Sequence, residues 1–341
     1  MNHLTLALDV MGGDFGPRIT MPAVQKALES NPRLTFLLFG DQQQVDPILK
    51  VFPKELQSRI QFQHTDKTID PEVPFSVAMR QSKNSSMRLA IEAVANGQAD
   101  ACVSGGNTGA LLGLAKLLIA PLPNIDRPAL TSLIPTMNGK STVMLDLGAN
   151  VEVNQKQLLQ FAEMGNIFAQ AILGLVYPRL ALLNIGTEES KGTQVLRDVN
   201  KILHRRYDIN YRGFIESDKL MNYLADVIVC DGFSGNMALK ALEGAAKNII
   251  SLHKEKESSH LCSLVKNLFM KAFLYRYYRK LQEINPDRHN GATLLGLSKV
   301  VVKSHGGASA NAFFYAIEYA IQQIEHKIPE CIQQKLVSLA H

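Results

Sequence analysis

Glycines and small polar residues form compact groups that could bind an anion. Residues 11–16 read Met-Gly-Gly-Asp-Phe-Gly, residues 104–109 read Ser-Gly-Gly-Asn-Thr-Gly, and residues 303–307 read Lys-Ser-His-Gly-Gly. Glycine lets the backbone approach a ligand closely, and the N–H groups at a helix start attract negative charge. These groups therefore predict a phosphate site, although glycine-rich turns are also an ordinary way to join a strand to a helix.

The candidate ligands of phosphate, or of a thioester oxygen, lie in these and neighbouring turns. They are Gly12, Gly13, Asp14, Gly105, Gly106, Thr108, Lys191 and Asn236. A basic side chain, Lys191 or Lys303, would complement the backbone groups with positive charge. Asn107 could donate to a developing oxyanion, but Asn107 or Thr108 could equally cap the following helix.

His305, Lys303 and Asn107 are the candidate catalytic residues. Imidazole titrates near neutral pH, so His305 could protonate a leaving thiolate or position phosphate. A lone histidine is more often structural, and the location of His305 at an expected strand end is what favours function. No Gly-x-Ser-x-Gly nucleophile motif occurs, so we expect direct attack by a bound anion and no covalent acyl-enzyme.

Other chemistries find less support. The adjacent glycines of residues 11–16 do not match the dinucleotide fingerprint, and no complete Gly-x-x-x-x-Gly-Lys-Ser/Thr phosphate loop occurs. Asp9, Asp14, Asp146 and Asp231 could bind Mg²⁺ or a ligand, but anchoring of turns is the favoured interpretation. We assign no metal ion and no cofactor to the chain.

Short aliphatic runs followed by glycine and then a helical period recur along the chain. The expected strands cover about residues 4–8, 100–103, 142–145, 180–183, 227–230 and 300–303. Alternating strands and helices predict a doubly wound α/β fold with a mostly parallel sheet, whose strand ends would gather the six turns in one crevice. No linker divides the chain, so residues 1–341 are predicted to form a single catalytic domain.

Residues 253–290 are the expected helical insertion in this domain. Between residues 261 and 281, basic and bulky apolar side chains occur near helical spacing without an acidic residue. This pattern suits an interfacial helix or an apolar partner groove, and equally a dimer-forming hairpin with solvated charges. The residues assigned to carrier-protein or membrane contact are Arg276, Arg279, Lys280, Leu268, Phe269 and Phe273.

Composition fits a globular chain of the reducing cytoplasm. The 341 residues are 46% hydrophobic, carry a formal net charge of +5, and include four widely spaced cysteines. The basic bias suits anionic small molecules, an acidic protein or an anionic membrane surface, whereas no nucleic-acid motif occurs. No signal-peptide pattern and no apolar run of about 20 residues occurs, so any membrane contact is expected to be peripheral.

The motifs, taken together and in order, resemble the bacterial phosphate acyltransferase (PlsX) family. The matching stretches are residues 6–17, 80–87, 101–112, 146–151, 182–192, 229–236 and 302–306. The resemblance implies a fold similar to isocitrate and isopropylmalate dehydrogenases, a homodimer, and peripheral association with the inner face of the cell membrane. It also implies that fatty acyl carrier protein and inorganic phosphate give acyl phosphate and free carrier protein.

By the same resemblance, the acyl phosphate would feed a membrane acyltransferase that acylates glycerol 3-phosphate in phospholipid synthesis. Two alternatives stay open at this point. One is a phosphotransacetylase-like enzyme acting on an acyl-coenzyme A, and the other is a non-catalytic scaffold that recruits lipid-synthesis enzymes to the membrane.

Overall fold

The structure is a computed structural model that describes residues 3–70, 73, 75–257, 288 and 290–339. Within these ranges, eleven strands form one sheet in the order β3-β2-β1-β4-β11-β10-β5-β6-β9-β7-β8. Their bounds are β1 Leu4–Asp9, β2 Leu34–Gly40, β3 Ile60–His64, β4 Ala101–Ser104, β5 Ala129–Pro135, β6 Ser141–Leu145, β7 Arg179–Leu183, β8 Asn210–Ile215, β9 Val227–Val229, β10 Ala292–Leu295 and β11 Val300–Lys303.

Helices follow most of the strands and cover both faces of the sheet. Their bounds are α1 Pro17–Ser30, α2 Gln42–Leu49, α3 Lys54–Gln57, α4 Phe75–Gln81, α5 Ser86–Ala95, α6 Thr108–Leu118, α7 Gln155–Leu173, α8 Gln194–Leu203, α9 Gly232–Glu257, α10 Ala310–Glu325 and α11 Ile328–Leu339, with a 3-10 helix at Ser217–Asn222. Polar caps fix several of their starts. Asn154 and Gln157, for example, form a reciprocal capping box before α7.

The mostly parallel α/β architecture predicted from the sequence is confirmed, with one addition. Strands β1 to β4 and β11 run one way, whereas β6 to β9 run the other way, because the antiparallel strands β5 and β10 join the two sets. The strand ends that carry the six predicted turns therefore point in two opposite directions. A purely parallel sheet would have placed them all on one edge.

The register brings these opposed strand ends to the same level. Leu145, the last residue of β6, pairs with Thr131, which pairs with Thr293, which pairs with Val302 near the end of β11. Three interstrand spacings of about 4.8 Å separate β6 from β11, a lateral distance of about 14 Å. Turns from both half-sheets can therefore border one crevice in the middle of the sheet.

Strand alternation divides the core into two layers. In β1, Leu6 and Leu8 join the cluster under α1, α7, α8, α10 and α11, while Ala7 joins the cluster under α5, α6 and α9. Each fully buried large side chain, such as Phe161, stabilises the fold by about 1.5–3 kcal/mol. Two apolar layers of this kind hold the strand ends rigidly.

The expected insertion at residues 253–290 falls mostly outside the described residues. Helix α9 continues to Glu257, and β10 begins at Ala292. The side chains assigned to carrier-protein or membrane contact also lie outside the described residues: Arg276, Arg279, Lys280, Leu268, Phe269 and Phe273. In the described part of the chain, none of the helices is both long and apolar enough to cross a bilayer.

Candidate active site

Three glycine turns meet at the carboxyl ends of β1, β4 and β11. A Cβ atom placed on Gly12 would lie 2.7 Å from the N atom of Gly106 and 2.6 Å from Oδ2 of Asp9. The N–H of Asp14 donates to the carbonyl of Gly306 at 2.9 Å. Backbone segments come this close only where side chains are missing, so the contact accounts for the glycines of the turns at β1 and β4.

The buried carboxylate of Asp9 ties two of these turns to helix α5. Ser86 donates to its Oδ1 at 2.6 Å and Ser104 donates to its Oδ2 at 2.7 Å. Burial raises the pKa of Asp9, although the hydrogen bonds from Ser86 and Ser104 oppose the shift. The N–H of Gly106 in turn donates to the hydroxyl oxygen of Ser104 at 3.1 Å. Asp9 therefore acts as an anchor of the turns, as the sequence favoured for these acids.

Helix starts surround the junction and point their positive ends toward it. The oxygen Oδ1 of Asn107 accepts the N–H of Ala110 at 2.9 Å, so Asn107 is the N-cap of α6. The N–H groups of Thr108 and Gly109 have no acceptor within a helix that starts at this point. Both residues line the crevice, and their N–H groups with the helix dipole favour a bound anion.

Lys303 is a buried cation at the end of β11, with 9% of its surface exposed. Its ammonium group donates to the carbonyls of Gly105, at 3.2 Å, and Ser304, and so bridges two turns. Burial and then the nearby Lys240 lower the pKa of Lys303 to about 8, while Asp14 and other acids oppose the shift. Lys303 is therefore a positive charge whose protonation changes just above neutral pH.

His305 lies in the turn between β11 and α10, with 39% of its side chain exposed. Its Nδ1 accepts the N–H of Gly307 at 3.1 Å, so in the neutral ring the proton resides on Nε2. Nε2 lies 3.9 Å from Oε2 of Glu243 on α9. Asn290 holds the turn, because it accepts the N–H of His305 at 2.9 Å and donates to Ser304 at 2.8 Å.

The turns open into a crevice of about 1150 Å³ that continues under α9. Leu147 from the turn after β6 and Asn236 from the first turns of α9 also line it. Contributions from β6 and β9 fit the register, which brings the two sets of strand ends to one level. The predicted convergence of the turns therefore holds for the turns after β1, β4, β6, β9 and β11.

Most of the sequence-predicted site residues lie together on this crevice. The lining includes Gly12, Gly13, Asp14, Gly105, Gly106, Asn107, Thr108, Asn236, Lys303 and His305. Lys191 lies elsewhere, exposed in the turn between β7 and α8, where its N–H donates to the carbonyl of Glu188. The geometry thus selects Lys303 over Lys191 as the basic partner of the glycine turns.

Four polar residues of the site were missed by the sequence reasoning: Ser86, Lys240, Glu243 and Asn290. Lys240 and Glu243 form an ion pair of 3.4 Å on α9 and line the crevice. They lie near His305 only because α9 runs across the sheet to the turn after β11. No local sequence pattern signals this path of the helix. Ser86 lies in a motif that resembles the family, and that motif was the available clue.

The remaining acids and thiols fit structural roles. Asp146 is buried and accepts the N–H groups of Leu130 and Asn150, at 2.9 and 2.7 Å. Burial raises the pKa of the Cys102 and Cys230 thiols well above the ordinary range. Neither of these two buried thiols is suited to form a thiolate nucleophile near neutral pH.

Comparison of the chain with known proteins gives consistent results. Residues 4–331 match the model of a family described as "Fatty acid synthesis protein". The chain is 69% identical over 337 residues to a phosphate acyltransferase of Actinobacillus pleuropneumoniae serotype 5b (strain L20), with 98% of each chain covered. It is 61% identical over 339 residues to a phosphate acyltransferase of Haemophilus ducreyi (strain 35000HP / ATCC 700724), with 99% of each covered.

Solved structures show the same fold at low sequence identity. A branched-chain phosphotransacylase from Enterococcus faecalis V583 superposes with a TM-score of 0.61 at 17% identity, covering 95% of this chain and 99% of that one. A phosphotransacetylase from Streptococcus pyogenes superposes with a TM-score of 0.60 at 16% identity, covering 95% of this chain and 94% of that one. A 4-hydroxythreonine-4-phosphate dehydrogenase from Klebsiella pneumoniae gives 0.54 at 12% identity, covering 95% and 100%.

Proposed function

Since the chain belongs to the phosphate acyltransferase (PlsX) family and is an acyltransferase, we propose that it moves a fatty acyl group from the thioester of acyl carrier protein to inorganic phosphate. The observation that carries the proposal is the junction of three glycine turns beside the buried cation Lys303 and the half-buried side chain of His305. This junction offers an anion site and a proton donor in one crevice. The acyl phosphate would then serve phospholipid synthesis.

Phosphate binds, in this proposal, against the glycine turns and the start of α6. The N–H groups of Thr108 and Gly109 and the ammonium of Lys303 attract its oxygens. Fixing phosphate beside the thioester carbon supplies proximity, which turns a bimolecular encounter into an effectively unimolecular step. The cap holds the side-chain oxygen of Asn107, which is an acceptor, and the group of Asn107 that would donate to an oxyanion is its amide Nδ2.

The reaction is a displacement at the acyl carbon. A phosphate oxygen attacks the thioester carbonyl, the carbon–sulfur bond breaks, and the departing sulfur takes a proton. Hydrogen phosphate loses one proton as it becomes acyl phosphate, so the proton count balances. The imidazolium form of His305, which Glu243 at 3.9 Å stabilises, gives its Nε2 proton to the sulfur, and the neutral ring then takes up the proton that hydrogen phosphate has lost.

Replacement of His305 by Gln is expected to lower turnover by about 10- to 100-fold, below the usual range for general acids because a thiol of pKa about 8.5 leaves readily. The defect should shrink when the donor is a thioester of a more acidic thiol, since that sulfur needs no proton. His326→Gln, at the exposed end of α10, is the matched control. A defect independent of the leaving thiol would assign His305 a structural role.

The donor and acceptor are tested by one direct comparison. Purified enzyme is given the same acyl group on acyl carrier protein or on coenzyme A, each with and without phosphate, and acyl phosphate is quantified by mass spectrometry. The proposal predicts phosphate-dependent product with the carrier-protein donor at much the higher kcat/KM. Preference for coenzyme A would indicate a phosphotransacetylase-like enzyme, and no phosphate-dependent product from either donor would indicate a scaffold.

The cellular setting of the proposal rests on the family. The enzyme would act in the cytoplasm as a homodimer, at the inner face of the membrane, and deliver acyl phosphate to a membrane glycerol-3-phosphate acyltransferase. The basic and apolar side chains between residues 268 and 280 stay the predicted contact for carrier protein or lipid. Reversal of the charges at Arg276, Arg279 and Lys280 is expected to weaken binding of the acidic carrier protein.

A further inference from the structure

The crevice has far more room than phosphate and a thioester group require. It encloses about 1150 Å³, and the glycine turns line only part of it. From Glu243, which faces His305, the crevice follows α9 back toward Asn236. The unexplained part of the site is therefore its long extension between α9 and strand β5.

Apolar side chains form both walls of this extension. The floor contains Leu130 and Ile134, which alternate along β5 onto the face under α9, and Leu147 from the turn after β6. Leu239 and Leu242 form the roof and pack against the same cluster. The extension is thus an apolar groove that begins at the charged residues of the reaction site.

We propose that this groove, between Leu130, Ile134 and Leu147 on the sheet and Leu239 and Leu242 on α9, binds the acyl chain and that Leu239 limits the width of the groove at the middle of the chain. The inference rests on the proposed function and adds to it the subsite that binds the acyl chain. A thioester carbonyl held beside Lys303 and His305 must direct its chain away from these charges. The apolar groove is continuous with that position.

The dimensions fit a medium-length segment of an acyl chain. Asn236 and Glu243 are seven positions apart on α9, so the groove spans about 10 Å at 1.5 Å per residue. A staggered chain of carbon–carbon bonds of about 1.5 Å advances about 1.25 Å per methylene, so about eight methylenes fill that length. Leu239 lies one helical turn from Glu243 and therefore faces the middle of such a chain.

Leu239→Phe narrows the groove at that point and is the direct test. The kcat/KM of the enzyme is measured with acyl carrier protein thioesters of hexadecanoate and of butanoate, because a butanoyl chain ends before it reaches Leu239, about 6 Å from Glu243 along the helix. We expect the ratio of the long to the short chain to fall by at least about tenfold, because pocket contacts with a few methylenes are worth that much. Met237→Phe, on the same helix but 60% exposed and outside the crevice lining, is the matched control and should keep the original ratio.

Leu239→Ala guards against a loss of folding in the larger substitution. The alanine widens the groove at the same position. The ratio of kcat/KM for the long chain to that for the short chain should therefore rise or stay at the original value, whereas Leu239→Phe lowers it. If both Leu239 variants kept the original ratio, the groove assignment would be overturned. The proposed function would still stand in that case, provided that the enzyme forms acyl phosphate. No phosphate-dependent product in the unmodified enzyme would instead overturn the proposed function, and the groove assignment with it.

Discussion

Replacement of Lys303 by Met is expected to lower kcat/KM for phosphate by about 10²- to 10³-fold, the usual loss for one preorganised charged donor in a closed site. Methionine nearly matches the aliphatic part of lysine and is readily buried, so the fold should persist. The variant removes the positive charge and the donors that bridge the carbonyls of Gly105 and Ser304. Initial rates over a range of phosphate concentrations measure the effect.

Lys299→Met supplies the matched control, because Lys299 is exposed immediately before β11. Its kcat/KM for phosphate should equal that of the unmodified enzyme. A Lys303→Met enzyme that retained at least half of the original kcat/KM for phosphate would remove Lys303 from the binding site.

The pKa of about 8 for Lys303 gives the substitution a pH signature. The ammonium is present below that pKa and is lost as pH rises through it, so kcat/KM for phosphate should fall above pH about 8. Bound phosphate favours the charged form, so the fall in kcat should occur at higher pH than the fall in kcat/KM. The Lys303→Met enzyme should lack this fall in kcat/KM at alkaline pH. If the fall persisted in the variant, the titrating group would be one other than Lys303.

Gly12→Ala is the second substitution with a large expected effect, a loss of about 10²-fold or more in turnover. The added Cβ would lie 2.7 Å from the backbone N of Gly106 and 2.6 Å from the carboxylate of Asp9. Hydrogen bonds from Ser86 and Ser104 hold that carboxylate, so the turns themselves must move apart. A displacement of about 1 Å at the phosphate site is enough to account for the loss.

Gly244→Ala is its control, since a Cβ there meets nothing within 4 Å and the position is helical. Alanine in a helix is favoured over glycine by about 1 kcal/mol, so this variant should be at least as stable as the original and equally active. The thermal unfolding temperature of both glycine variants is measured beside their activity. Gly12→Ala with normal turnover would show that close approach of the turns is not required.

Much of the site was predictable because its signals are local. Strand β11 was expected at residues 300–303 and found at Val300–Lys303, and β6 was expected at residues 142–145 and found at Ser141–Leu145. Glycine turns after aliphatic runs mark strand ends whatever the sheet topology. Lys303 and His305 could therefore be placed at the crevice from their position in such a turn.

The direction of the half-sheets could not be predicted in the same way. It depends on β5 and β10, which were not among the expected strands. Each pairs antiparallel with the next strand in the sequence, but β5 and β10 also pair with each other across more than 150 residues, and no local sequence pattern specifies that pairing. The contact of Glu243 with His305 depends in turn on the path of α9 over the sheet. Asn290 holds its turn through long-range hydrogen bonds that no local motif signals.

The central claim, that phosphate held at the glycine turns attacks the thioester directly, is tested most directly with isotopes. Enzyme and acyl carrier protein thioester are mixed with phosphate carrying oxygen-18 at every oxygen, and the products are weighed by mass spectrometry. Acyl phosphate retaining all of the label is expected, with no exchange of labelled free carrier protein into the thioester when phosphate is absent. Such exchange without phosphate would reveal a covalent acyl-enzyme, and unlabelled fatty acid as the main product would show that water is the acceptor.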